Sequence, residues 1–175
     1  IDIWKDDIIR RNGAIDRLED LAAKNIEIAP RIARILSVYL KEMSREHPAL
    51  NTPDELHDLY EWCRDRSDME NAVNALGNMS QKTGLDAKTL QLDLSNVNLQ
   101  KMLLSNLDFS GAKFKNCFFD GAVINGVTFD GTELQYCRFN GSAVLYCTFD
   151  DETNFEGTKI RGSILRDIDL TSSKS

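Results

Sequence analysis

From Leu94 to Leu170 an apolar residue recurs every five residues. The series runs Leu94, Leu99, Leu104, Phe109, Phe114, Phe119, Ile124, Phe129, Leu134, Phe139, Val144 and Phe149. After one extra residue it resumes at Phe155, Ile160, Leu165 and Leu170. Helix faces repeat every 3.6 residues and strand faces every 2, so a period of five fits neither and predicts stacked repeats. The residue two before each centre is mostly small or apolar, as at Val97, Ala112, Cys117, Ala122, Val127, Thr132, Cys137, Ser142 and Cys147. Glycine is frequent two after it, at Gly111, Gly121, Gly126, Gly131, Gly141, Gly157 and Gly162.

The first half follows a different pattern. Ile8, Ile9, Ile15, Leu18, Leu21 and Ala22 fall at helical spacing and predict a helix over Ile3 to Lys24. A second is expected from Pro30 to Arg45, with Pro in its first turn and Ile32, Ile35, Leu36, Tyr39 and Leu40 on one face; His47-Pro48 ends it. Thr52-Pro53-Asp54-Glu55 has the form of a capping box, and Ser67-Asp68-Met69-Glu70 repeats it. Two helices with a break near Ser67 are therefore expected between Pro53 and Met79, and Gly84 marks the exit. Trp4 and Trp62 read as helix-packing anchors. This divides the chain into a helical module, 1–88, and a repeat domain, 89–175.

Asp93-Leu94-Ser95-Asn96, Asn98-Leu99 and Asp108-Phe109-Ser110-Gly111-Ala112 resemble the A-(D/N)-L-x-x units of the pentapeptide-repeat family. The resemblance implies a right-handed quadrilateral β-solenoid, four pentapeptides per coil, with the centre and the residue two before it pointing inward. The fold class is then α+β, and sixteen centres make about four coils, a rod roughly 20 Å tall at strand spacing. Residues twenty apart become vertical neighbours, so Phe109, Phe129 and Phe149 form one internal ladder and Cys117 lies under Cys137. The extra residue near Asp150-Asp151-Glu152 is expected to bulge one corner. Within the helical half, the run from Gly13 to Ala22, the run from Ile35 to Glu42 and the run from Asp68 to Gly77 resemble the region preceding the repeats in bacterial membrane-anchored pentapeptide-repeat proteins. That second resemblance implies an anchor upstream; the segment itself contains no apolar run long enough to span a bilayer. It opens without an initiator Met or a signal peptide, as a fragment or trimmed product does.

Charge narrows the function classes. The net charge of −7 argues against non-specific binding to nucleic acid or anionic membranes. Cys63, Cys117, Cys137 and Cys147 form no CxxC pair and have no nearby His, so they read as reduced residues of a cytoplasmic protein and not as zinc ligands. His47 and His57 accompany no nucleophile motif, and Asp150, Asp151 and Glu152 lack the alternating ligands of a calcium loop. No catalytic residue, cofactor or metal is expected, and the chain reads as a non-enzyme.

Some members of the resembled family mimic DNA and inhibit or protect type II topoisomerases such as gyrase, which makes DNA mimicry the alternative function. From residue 90 onward 11 acidic and 8 basic residues leave −3. Duplex DNA would show about 12 charges over a 20 Å length, so the rod is weakly charged for a mimic. A protein interaction scaffold is the better expectation. Outward positions are mostly polar, but on the third face the ladder is Leu103, Val123, Ala143 and Ile164, with Leu145 and Tyr146 adjoining and Phe118 one face earlier. Such a stripe needs covering, by the chain's own helices, by a second copy in a dimer, or by a separate partner. The open ends of a solenoid also need covering. The helix ending near Gly84 is expected to cap the first coil, while the short polar tail from Thr171 leaves the far end a second place for self-association.

Overall fold

The five-residue period folds as four stacked coils. A computed structural model describes residues 3–51, 63 and 65–169, with side chains from residue 6 onward. The expected helix start at Thr52, together with His57, Trp62, the Trp4 side chain, Leu170 and the tail, lies outside the described residues. Leu103–Ser105 (β1), Val123–Asn125 (β2), Ala143–Leu145 (β3) and Ile164–Arg166 (β4) pair in parallel in that order. Val123 sits beside Leu103 and Ala143 beside Val123; the next step, to Ile164, absorbs the extra residue. These strands make the third face. The first, second and fourth are rows of single bridges: Asp93, Lys113, Glu133, Asn154; Asn98, Phe118, Arg138, Lys159; and Asp108, Thr128, Thr148, Asp169.

Stacking places like on like inside. Phe109 and Phe129 lie 6.3 Å apart at 22°, Phe129 and Phe149 5.3 Å at 7°, and Phe119 and Phe139 4.4 Å at 2°. Burying each such ring contributes roughly 1.5–3 kcal/mol. The second inward position carries a recurring polar contact. Cys117 Sγ donates to the Leu94 carbonyl at 3.0 Å, Thr132 Oγ1 to Phe109 at 3.0 Å, Cys137 Sγ to Phe114 at 2.8 Å and Thr158 Oγ1 to Leu134 at 2.8 Å. Thiol and hydroxyl thus do the same work, tying each coil to the one before, and burial pushes the Cys117 thiol well up. All four cysteines are free thiols, and Cys117, Cys137 and Cys147 are buried. At the insertion the Asp150 carboxylate accepts from Gly131 N–H at 2.7 Å, where the coil before uses a carbonyl, that of Asp130, for Gly111. It also accepts from the N–H groups of Glu152 and Thr153.

Among the described residues the helical module has α1 (Ile3–Lys24), a 3-10 turn (Ile26–Ile28), α2 (Ala29–Glu46), α3 (Ser67–Thr83) and α4 (Ala87–Leu90). Helix α2 turns Ile32, Ala33, Leu36, Ser37, Leu40 and Ser44 inward. Ile35, expected on that face, is exposed, as are Ile9 and Leu21 of α1; the buried line of α2 runs through Ala33 and Ser37 instead. Ser67 is already helical, and Arg66 is the residue before it. Glu70 does not complete a capping box; its carboxylate is used elsewhere. Gly84 ends α3 at φ +73, with its N–H bonded to the Ser80 carbonyl at 2.8 Å. Buried Asp68 ties the three long helices together: Arg11 Nε lies 2.8 Å from it and the Tyr39 hydroxyl donates to it. Burial, reinforced by this carboxylate, pushes the Tyr39 phenol up.

The module covers the open edge of the first coil bond by bond. Ser44 Oγ accepts the Asn98 N–H at 3.0 Å, the Glu70 carboxylate accepts the Leu103 N–H at 2.9 Å, and the Gly77 carbonyl accepts the Asp108 N–H at 3.0 Å. In return the Arg66 guanidinium donates to the carbonyls of Asn98 and Gln100, the latter at 2.9 Å. Asn74 donates to the Leu103 carbonyl at 3.2 Å and Gln81 to that of Asn106 at 3.3 Å. A buried backbone group left unpaired costs about 1–3 kcal/mol, so this edge would be the weakest part of a bare solenoid. Arg66 is itself buried, and burial pushes its guanidinium down to about 10.

Candidate functional site

Among the described residues two surfaces remain after the helices have taken their places. On the third face the outward residues are Leu103, Val123, Ala143 and Ile164, one per rung. Leu103 is 52%, Val123 41% and Ile164 63% exposed, and Ala143 is half-buried. Among the described residues the helices do not close over this stripe, because they sit across the end of the rod and not along its side. Leu145, on the same strand as Ala143, is half-buried; Tyr146 follows it at the corner, exposed, at φ +53. A bulky side chain in the left-handed region costs about 1–2 kcal/mol. Tyr136 occupies the matching conformation at another corner, φ +60, but its ring lies against Gly157 and its hydroxyl donates to Glu156 at 2.9 Å.

Phe118 belongs to the second face and stands apart from that stripe. The Arg138 guanidinium lies 4.7 Å from its ring centroid. Arg138 Nε in turn donates to Asp120 at 2.7 Å and its terminal nitrogens reach the Leu50 carbonyl (2.9 Å) and Asn51 (3.2 Å). Gln100 pairs with both backbone groups of Leu50, at 2.9 and 2.8 Å, and Asn98 donates to the His47 carbonyl at 2.9 Å. The segment after α2 is thus strapped across the second face. Nothing in residues 47–51 signalled this, since its contacts are made through backbone and a single Asn.

The far end differs from the near one. The last coil leaves an opening of about 280 Å³ lined by Phe139, Val144, Phe149, Phe155, Thr158, Ile160, Leu165 and Ile168. Among the described residues no group of three or more His, Cys, Asp or Glu could hold a metal, and no helix is long and apolar enough to cross a membrane. His47 is the residue capping the C-terminus of α2, its N–H bonded to the Met43 carbonyl at 2.9 Å.

The family profile described as Pentapeptide repeats matches in eight copies, over residues 93–131 and 103–141. No curated protein sequence matches the chain. The solved structures that resemble it include HetL, a pentapeptide repeat protein involved in heterocyst differentiation regulation in the cyanobacterium Nostoc sp. strain PCC 7120. It is 22% identical, with a TM-score of 0.33 over 44% of this chain and 33% of that one. A pentapeptide repeat protein of the Arabidopsis thaliana thylakoid lumen is 21% identical, with a TM-score of 0.28 over 41% and 63%. The plasmid-mediated fluoroquinolone resistance protein QnrB1 is 14% identical, with a TM-score of 0.28 over 45% and 62%. The chain thus spans less than two thirds of each of these proteins.

Proposed function

We propose, on the premise that residues 93–141 make this chain a pentapeptide-repeat protein, that it is a non-enzymatic scaffold holding a protein partner against its third face. The observation behind this reading is the uncharged ladder of Leu103, Val123, Ala143 and Ile164. Every other face carries charge in its outward ladder, at Asp93, Lys113 and Glu133, at Arg138 and Lys159, and at Asp108 and Asp169. A partner attracted by charge would choose those faces; the third face fits an apolar, uncharged surface. The exposed Tyr146 beside Leu145 adds the kind of side chain that anchors interfaces. Free, buried thiols support a cytoplasmic compartment. The test places a photo-cross-linking phenylalanine at Val123, or at Thr128 on the fourth face. The reading expects a protein adduct from position 123 alone, lost when Ile164→Asp is added. Equal adducts from both positions, or none, would overturn it.

A further inference from the structure

The spacing of the ladder on the third face selects what can lie on it. Rungs of a parallel sheet stand about 4.8 Å apart, so Leu103, Val123, Ala143 and Ile164 span about 14 Å along the rod. The backbone groups of these strands point along the rod and not out of the face. The N–H groups of Val123, Ala143 and Ile164 donate to the carbonyls of Met102, Ala122 and Ser142, each at 2.9 Å. A strand laid on the face would find no backbone partner there, and its own groups would go unpaired. A second copy is no better served: a patch of about 14 Å by 10 Å is far below the roughly 800 Å² per partner of a stable interface.

A helix meets both conditions. It bonds its own backbone, is about 10 Å wide, and presents a row of side chains about 5.4 Å apart, one per turn. Tilting its axis by roughly 27° from the rod brings that row into step with the rungs. The shoulders of the ladder admit it. On the second-face side nothing lies within 4 Å of where a Cβ would stand at Gly141 or Gly162, and Lys101 lies flat across Gly121. On the fourth-face side the exposed Tyr146 stands beside Leu145. Among the outward positions of β1–β4 the one charge is Arg166, on the last rung; Asp167 lies 3.4 Å from it, and both are more than half exposed. On the reading that the third face holds a protein partner, we infer that this partner contributes an amphipathic helix of about three turns. It lies along the rod with apolar residues at i, i+4, i+7 and i+11 over the four rungs and sets a carboxylate at its far end against Arg166.

Phage bearing random peptides of about 16 residues, long enough for three turns of helix, are panned on the full chain. Val123→Asp and Ile164→Asp proteins, their fold checked by circular dichroism, serve as counter-selections. Peptides kept by the wild type alone are expected to carry apolar residues at i, i+4, i+7 and i+11 and to gain helicity on binding. A proline at their centre should weaken binding at least about tenfold. Panning on Arg166→Glu should exchange the acidic residue at the far end for a basic one; an unchanged acidic residue overturns the contact with Arg166. Peptides with apolar residues at every second position, peptides that bear the proline without loss, or none that distinguish the wild type from both variants overturn the helix. Cross-linking at Val123 reads the face separately. A partner adduct there with no helical peptide selected leaves the third-face reading standing and refutes the helix. Adducts of the chain with itself would put a second copy on the face and refute the helix too.

Discussion

Gly77→Ala separates this architecture from a generic helix packed on a generic sheet. In an ordinary helix interior, alanine in place of glycine stabilises by roughly 1 kcal/mol. At Gly77 the added Cβ would lie 2.8 Å from Leu107 Cβ and 2.8 Å from Phe109 Cζ, in a core where neither neighbour has room to retreat. Overpacking of that kind costs about 1–3 kcal/mol. Pushing α3 outward also stretches the bond from Asp108 N–H to the Gly77 carbonyl, worth about 1 kcal/mol. The net expectation is a loss of about 1–3 kcal/mol. For a chain of this size that is a fall in Tm of roughly 3–10 °C. Gly13→Ala in α1 is the internal control, since the nearest atom to its Cβ is the end of a flexible arginine, Arg17, at 3.5 Å; it is expected to raise Tm slightly. Thermal unfolding of both variants, followed by circular dichroism, gives opposite signs if the close approach is real. A Gly77→Ala protein as stable as Gly13→Ala would refute the contact between α3 and the first coil.

Other expectations follow from the same bonds. Asp68→Ala strands Arg11 and Tyr39 and is expected to cost about 3–5 kcal/mol in urea unfolding, while Tyr39→Phe costs about 1 kcal/mol; equal losses would contradict Asp68 as the hub. Cys137→Ser keeps a donor to the Phe114 carbonyl and should change stability by less than about 1 kcal/mol, whereas Cys137→Val removes the donor and should cost clearly more. Burial of the Asp150 carboxyl is outweighed by the N–H and hydroxyl groups bonded to it, which hold it below the usual carboxylate range. Its contribution is therefore present above its unfolded value and lost as pH falls through the lower, folded one. Asp150→Asn should flatten the acid limb of stability against pH, and an unchanged limb would show that the corner does not depend on the charge.

Much of the repeat domain was legible because its side chains alternate against a fixed period. Leu104, Ile124 and Val144 announce their register by spacing alone, and the extra residue before Phe155 displaces the count by one where Asp150 closes the corner. Gly84 was equally readable, since a left-handed residue after a helical run has few other uses. The edge cap was not. Ser44, Arg66, Glu70, Asn74 and Gln81 look like ordinary polar helix surface, and only the tertiary arrangement turns them toward the backbone of Asn98 and Leu103. The Ser67–Glu70 pattern misled for the same reason, because Glu70 finds a better donor in the Leu103 N–H than in its own helix. Phe118 looked like part of an apolar surface because the guanidinium that covers it comes from Arg138, one full coil later.

Among the described residues the rod is closed by helices at its first coil and open at its last, and residue-resolved amide hydrogen exchange tests this. At low concentration the N–H groups of Asn98, Leu103 and Asp108 should be protected as strongly as those of the middle coils, and those of Phe155, Ile160 and Leu165 should exchange rapidly. Rapid exchange at Leu103 and Asp108, or strong protection of Ile160 in dilute protein, would contradict the account.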